Sequence, residues 1–443
     1  MYEPRRSETP LRMISTGLSV LALFLGGSAA GEQWPQWRGP SLDGSSAAED
    51  LPLKWSATEN VLWKLAMPAR SAATPIVWKD RIFLNVSYDP EKEQRLELWA
   101  VDTGGEVLWK RSMGEGNELK YKQHMSTPSP VTDGERVWAM TGNGVIKAFD
   151  FQGKQLWARD LQKEYGAFGL QWGYASSPLL IEGSLVVQVL HGMHTDEPSY
   201  LLRIDGKSGK NLWRTERPTK ALRESPDAYS TPMPLRRGGK LEIVVSGGDV
   251  LTGHDAATGK ELWRVGDLNP SRSPAGRLVA SPVVSGSRIF AFGKRGPIQA
   301  FEVPGAPGSS PKLLWNYDKG TDVPTPVSDG KYLFVINDRA VAWCFEAATG
   351  QVVWGPERMP AGTYSASPVL AAGRIYVTNE EGVTAVLKAG PKFELLATND
   401  VGSYTLSSPA IAGGRIFLRT SDFLFAIGTP GKATRGTGSS ETR

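Results

Sequence analysis

Disulfide chemistry is excluded at the outset, because the chain has one cysteine, Cys344, and one thiol cannot form an intrachain bridge. Cys344 also lies far from the N-terminus, so no lipid-modified cysteine is expected to anchor the chain. Helical periodicity is almost missing, and no apolar run reaches the roughly 20 residues needed to cross a bilayer. An excess of one charge is missing too: 50 Lys and Arg stand against 46 Asp and Glu, a formal +4. The charges are evenly interspersed, whereas nucleic-acid binding needs a clustered basic face, so no nucleic-acid partner is expected. There is no Gly-x-Ser-x-Gly elbow, His-Glu-x-x-His pair, phosphate loop or haem-attaching Cys-x-x-Cys-His, which removes the enzyme classes those motifs carry.

What is present begins with a targeting signature. Arg5, Arg6 and Arg12 precede an apolar stretch from Met13 to Leu25 and then Gly-Gly-Ser-Ala-Ala, with Ser28 and Ala30 ahead of a cleavage point at Gly31. This reads as a signal peptide over residues 1–30. Its removal lowers the formal charge from +4 to +3. The expected product is exported by the general secretory route, periplasmic or secreted, with no membrane anchor. Residues 428–443, rich in Gly, Ser, Thr and basic side chains, are expected to be disordered.

Between these ends the chain repeats itself at a period of about 40–50 residues, the mark of stacked supersecondary units. Each unit opens on Ser or Thr before proline: Thr74, Ser129, Ser177, Thr231, Ser281, Thr325, Ser367 and Ser408. A tight Gly turn and a second apolar run follow, such as Arg374 to Thr378. A third run carries a small residue, an apolar residue and an acid, as in Ala100-Val101-Asp102 and Ala148-Phe149-Asp150. Another turn then leads to a tryptophan: Trp109, Trp157, Trp213, Trp263, Trp315 or Trp354. Four short antiparallel strands per unit make a propeller blade. The fold class is therefore all-β, an eight-bladed β-propeller over residues 60–427. The last unit runs out after three strands at Ile427, and the segment around Trp63 carries the missing outer-strand pattern. We expect Trp63 to complete blade eight and so remove the open seam.

The pattern Asp-x-x-Thr-Gly-x-x-x-Trp, complete from Asp255 to Trp263, resembles the PQQ-like (quinoprotein-type) propeller repeat family. The resemblance covers about residues 60–427 and departs from the pattern in two places. Glu302 is followed by an insertion through Pro311, and in blade seven Leu395 or Leu396 stands where the Trp is expected. Those two blades are expected to be the least regular. Residues 31–59, opening Trp34-Pro-Gln-Trp37-Arg-Gly-Pro40, resemble the N-terminal extension of secreted bacterial members and are expected to pack across the propeller as an ordered arm.

The family includes dehydrogenases and non-catalytic scaffolds, so function has to be argued from loops. Links between strands one and two, and three and four, are tight turns, whereas the opposite face carries long, varied segments; that face is expected to bind. On it, His191, His194, Asp196 and Glu197 form a possible metal cluster, although a loop His-x-x-His is more often a hydrogen-bonding surface feature. Glu224, Asp227 and Tyr229, joining blades three and four, together with His124, Trp172 and Tyr174, are candidate ligand-binding residues. His254 and Cys344 occupy repeat positions that are apolar or small elsewhere and read as packing.

Two functions remain. The preferred one is a monomeric, exported, non-catalytic binding or scaffold propeller that needs no cofactor and holds a protein or small-molecule ligand on the long-loop face. The resemblance to an outer-membrane assembly factor of the same repeat family implies it. The alternative is a quinoprotein dehydrogenase with PQQ and Ca²⁺. Against it stand the missing adjacent cysteines typical of the alcohol dehydrogenases of this fold and the absence of any haem motif.

Overall fold

The structure is a computed structural model that describes Met1 and residues 33–431. The signal-peptide reading, apart from Met1, and residues 432–443 of the tail lie outside the described residues.

Second strands such as Arg81–Ser87 and Ser184–Val189 are buried almost throughout, because each blade is covered on both faces by its neighbours. Their runs of Ile, Leu, Val and Phe therefore show no alternation. Outer strands such as Val107–Gly114 alternate between partly buried and exposed. Eight blades of four antiparallel strands result, each ordered inner to outer in chain sequence except the last. There Ala410–Ala412, Arg415–Arg419 and Phe423–Ile427 are joined by Val61–Ala66, with Trp63 opposite Ala426. The closure expected from Trp63 is thus observed. Among the described residues the only helix is Leu161–Tyr165, and no helix is long and apolar enough to span a membrane.

The repeat motif has a physical explanation at Asp255–Trp263. The Asp255 carboxylate accepts from the Thr258 N–H and hydroxyl, and the Gly259 N–H bonds to the Asp255 carbonyl. Gly259 sits at φ +75° with the Trp213 ring of the preceding blade so close that a Cβ would lie 2.6 Å from it, so only glycine serves there. The same turn offers the Ala256 carbonyl to Trp213 Nε1 at 2.8 Å. Equivalent inter-blade locks run from Trp63 to Thr103, Trp109 to Phe151, Trp157 to Gly206, Trp315 to Ala347 and Trp354 to Gly390. Each covers a large indole at least in part while satisfying its N–H.

The two blades that depart from the repeat pattern keep four strands and a single outer-strand bulge each, so they are not the least regular as expected, since the outer-strand register shifts twice in blades one and six; what changes is the lock. After blade four, the insertion that follows Glu302 replaces the Thr-Gly turn, and Trp263 Nε1 donates instead to Glu242 Oε2 of its own blade at 2.7 Å. Glu242 also receives a two-pronged bond from Arg237 and the Gly308 N–H of the insertion. In blade seven the register corrects the reading of Leu395 or Leu396 as the Trp replacement. Ala397 lies opposite Val386 as Trp354 lies opposite Cys344, while Leu395 faces Leu387 and Leu396 falls in the bulge. Trp55 of the arm fills the vacated volume. It stacks on Tyr376 with ring centroids 6.3 Å apart and shares one core with Val386 and Val401 of blade seven and Ile411 and Ile416 of blade eight.

The rest of the arm runs across the axis at the short-turn end. Gln33–Trp34 extends the inner edge of blade one, and Ser45–Ser46 that of blade seven. Between them the Pro35 carbonyl takes the Thr132 N–H of blade two, and Gln36 exchanges bonds with Leu180 of blade three. The buried Arg38 guanidinium reaches the Pro326 and Pro368 carbonyls of blades six and seven at 2.7 and 2.8 Å. Gly44 leaves room for that guanidinium, since a Cβ would lie 2.2 Å from it.

Candidate functional site

With its floor formed by this arm, the axial channel is a blind cavity of about 560 Å³ that Trp37 helps to line. Its wall is made by the Ser/Thr-Pro openings. The backbone N–H of Thr74 donates to Ser129 Oγ, Ser129 to Ser177, Ser177 to Thr231, Thr231 to Ser281, Ser281 to Thr325, Thr325 to Ser367 and Ser367 to Ser408. Each hydroxyl spends an acceptor site on the preceding blade and keeps its own O–H to donate. All seven acceptor residues line the cavity. The hydroxyl chain is open at the seam between blades eight and one, where Thr74 Oγ1 is buried without a partner among the described residues.

At the long-loop mouth, residues from successive blade connections converge. Trp172 donates through Nε1 to Glu224 Oε1 at 2.7 Å and through its backbone N–H to the Tyr229 hydroxyl at 3.1 Å. Asp227 accepts backbone N–H groups from Gln171 and Met193 at 2.8 and 3.2 Å. Burial outweighs those bonds and lifts its carboxyl to about 6, and burial also raises the Tyr229 phenol. The chain of charges continues from Glu224 to Arg277 at 3.3 Å, and from Arg277 and Arg295 to Asp322 at 3.7 Å each. The structure therefore brings together Trp172, Glu224, Asp227 and Tyr229 of the sequence candidates.

Tyr174 and His124 do not line the cavity. Tyr174 is buried in the core of blade three, its hydroxyl donating to the Gln188 carbonyl. His124 packs between Asn117 and Arg70, with ring nitrogens 3.1 Å from Asn117 Nδ2 and 3.4 Å from Arg70 Nε. Burial first, then the nearby Arg70 and Arg419 charges, bring its ring down to about 4, with Asp89 opposing weakly. An unfolded histidine binds a proton near pH 6.5, which the folded ring refuses until about pH 4. Its contribution to stability is present above that window and is lost as pH falls through it. His124→Gln should therefore flatten the acid-side fall in the urea midpoint, and an unchanged slope would show that His124 does not contribute.

The four proposed metal ligands do not converge. His191 Nδ1 accepts the Gly169 N–H, His194 Nε2 is engaged with the Gln171 side chain, and Glu197 packs against Gly166. Among the described residues no group of three or more His, Cys, Asp or Glu is arranged to hold a metal. His254 is buried between the Gly259 carbonyl and the Thr252 hydroxyl. Cys344 is buried in blade six, and burial lifts its thiol to about 12.

A feature absent from the sequence reading lies across the mouth. The hairpin of Leu119–Lys120 and Gln123–His124 carries Tyr121, whose ring sits 5.4 Å from that of Trp172, and Lys122, which reaches Glu380 and Ser365 near blade seven. Tyr404 completes the latch by donating to Glu380 Oε2 at 3.1 Å. The short run Lys-Tyr-Lys was the available signal, but the partners of Lys122 lie more than two hundred residues away.

The fold and site define a closed eight-bladed propeller of PQQ-like repeats with a blind axial cavity. A family profile described as outer membrane protein assembly factor BamB matches residues 47–167 and 94–355, and the chain belongs to that family. It is 21% identical to BamB of Yersinia pestis over 322 residues, covering 69% of this chain and 74% of that protein. Among solved structures it is similar to BamB from Moraxella catarrhalis, with 12% identity, a TM-score of 0.59 and coverage of 84% of this chain and 98% of the other. It is also similar to a europium-containing methanol dehydrogenase, with 12% identity, a TM-score of 0.63 and coverage of 86% and 87%. At such identity the structural likenesses establish the fold alone.

Proposed function

We propose that this protein is an exported, non-catalytic binding propeller that seats a small molecule or a segment of a partner protein in the blind cavity at its long-loop face. The observation that carries the reading is the wall of hydroxyl donors above a floor sealed by Trp37, a chamber with one mouth and an acceptor-hungry lining. A volume of about 560 Å³ lies within the range of ligand pockets. The Tyr121 and Lys122 hairpin guards entry. The name of the family, an outer membrane protein assembly factor, supports both export and a protein partner.

The quinoprotein alternative draws on the likeness to methanol dehydrogenase and asks for a calcium ion with six to eight oxygen ligands. The residues present do not fit that group. Asp322 is held by Arg277 and Arg295, Asp338 is directed to Arg339 and the Asp322 N–H, and Glu224 faces Arg277, while Asp227 is taken up by backbone N–H groups, so these carboxylates are engaged separately instead of converging on a shared point. Titration with PQQ and Ca²⁺, followed by a dye-linked alcohol oxidation assay, separates the readings. No quinone binding, together with a ligand or polypeptide co-purifying with wild type and lost in Trp172→Ala, is the expected result. Tight quinone binding with turnover would overturn it.

A further inference from the structure

The hairpin over the mouth is fixed at one end and tied at the other. Its strands, Leu119–Lys120 and Gln123–His124, leave Tyr121 and Lys122 as the turn. Lys120, Tyr121, Lys122 and Gln123 all line the axial cavity, so the hairpin forms part of its roof. The root is pinned to the first two blades. Asn117, 1% exposed, donates through Nδ2 to the Tyr88 carbonyl of blade one at 2.7 Å and accepts the Met125 N–H at 3.1 Å. The Met125 carbonyl in turn takes the Gly142 N–H of blade two.

The tip makes contact on both sides of the opening. Tyr121 meets Trp172, which leads into blade three, and Lys122 bonds to Ser365 and Glu380, which flank the first two strands of blade seven. Blades three and seven stand four places apart in a ring of eight, on opposite sides of the axis. Glu380 is a firm post, because its N–H bonds to the Thr363 carbonyl and its own carbonyl takes the Thr405 N–H. Its carboxylate also accepts from the Ser365 and Tyr404 hydroxyls. Among the described residues, Lys122 alone ties the turn to blade seven. Tyr121 is 75% exposed and sits at φ +59°, a backbone conformation unusual for a bulky residue, and such strain gathers in segments that switch.

We propose that residues 119–124 are a strap, latched by the Lys122–Glu380 ion pair, that swings on the Asn117 root to admit a bulky occupant to the axial cavity. The proposal rests on the reading of that cavity as the binding site and adds what controls entry to it. Two residue pairs give the strap little stability of its own, since even an isolated longer hairpin is marginal in water; its position depends on what the tip holds. The latch is partly shielded, with side chains 25% and 12% exposed, so it holds better than a surface pair. Release leaves no orphaned buried charge, because Lys122 returns to water and Glu380 keeps two hydroxyl donors.

The test reads access directly, with no ligand present. Cys344 gives a silent background, because it is buried and burial lifts its thiol to about 12. Ala175→Cys then places one reactive thiol at a partly exposed position on the cavity wall, and its rate of reaction with fluorescein maleimide is measured. Adding Lys122→Met or, separately, Glu380→Gln should raise that rate on the order of tenfold. Iodoacetamide, small enough to pass the strap, should react at nearly the same rate in all three proteins. Equal maleimide rates with and without the latch overturn the proposal, as does an equal rise with iodoacetamide, which would mean a loosened fold instead of an opened strap. An occupant that depends on Trp172, found alongside equal maleimide rates, would remove the strap and leave the binding reading standing. A raised maleimide rate supports the strap even where no occupant co-purifies.

Discussion

Trp55→Ala is expected to cost about 3–5 kcal/mol of folding stability, the range for removing a large buried aromatic side chain. The reason is specific to blade seven. Every other outer strand supplies its own indole, and here Ala397 leaves a gap that Trp55 fills from the arm against Tyr376. Trp55 is only 4% exposed, so little of its loss can be recovered by solvent. Urea denaturation of the two proteins measures the difference. Ala397→Trp in the Trp55→Ala background should regain part of the loss, because the new indole would stand at the register position of its counterparts. In the wild-type background the same change should destabilise by about 1–3 kcal/mol through overpacking. A cost below about 0.5 kcal/mol for Trp55→Ala, the scale of surface substitutions, would mean that the arm merely lies on the propeller.

Glu242→Ala is the second large effect, again about 3–5 kcal/mol, since it strips the partner from a buried arginine. Arg237 and Glu242 are 4% and 1% exposed at their side chains, and the same carboxylate serves Trp263 and Gly308. Burial pushes the Glu242 carboxyl up, but the Arg237, Trp263 and Gly308 bonds outweigh it and hold the group below the usual range. Its contribution is therefore present above the ordinary carboxylate range and is lost as pH falls through the depressed folded value. The acid limb of the stability profile should flatten in Glu242→Ala. A wild-type-like midpoint in denaturant would remove the idea that this carboxylate replaces the missing turn carbonyl.

These two interfaces also mark where sequence reasoning stopped. The Trp pattern and the count of blades were legible because each repeat states them independently, and Trp63 could be paired with the last unit because that unit lacked one strand. Ala397 was missed because the outer-strand bulge shifts the register by one residue, a shift visible only in the pairing. Trp55 carried no repeat signal at all. Among the candidates at the mouth, Trp172, Glu224, Asp227 and Tyr229 meet because they lie on adjacent connections of one face. Tyr174 follows Trp172 by two residues and turns into the core to reach Gln188 instead. The Ser/Thr-Pro openings were visible as punctuation, but their role as a hydroxyl wall depends on partners one repeat away.

Sealing the ring with strand Val61–Ala66 has a cost in time. That strand leaves the ribosome long before its partner Phe423–Ile427 is made, and the Arg415 side chain must find the Thr103 carbonyl across 312 residues. Contacts this distant slow folding and leave strand edges unpaired while synthesis proceeds. The newborn chain therefore has a vulnerable interval, from the appearance of its first blade to the arrival of Ile427, in which bare strand edges stay open to wrong partners.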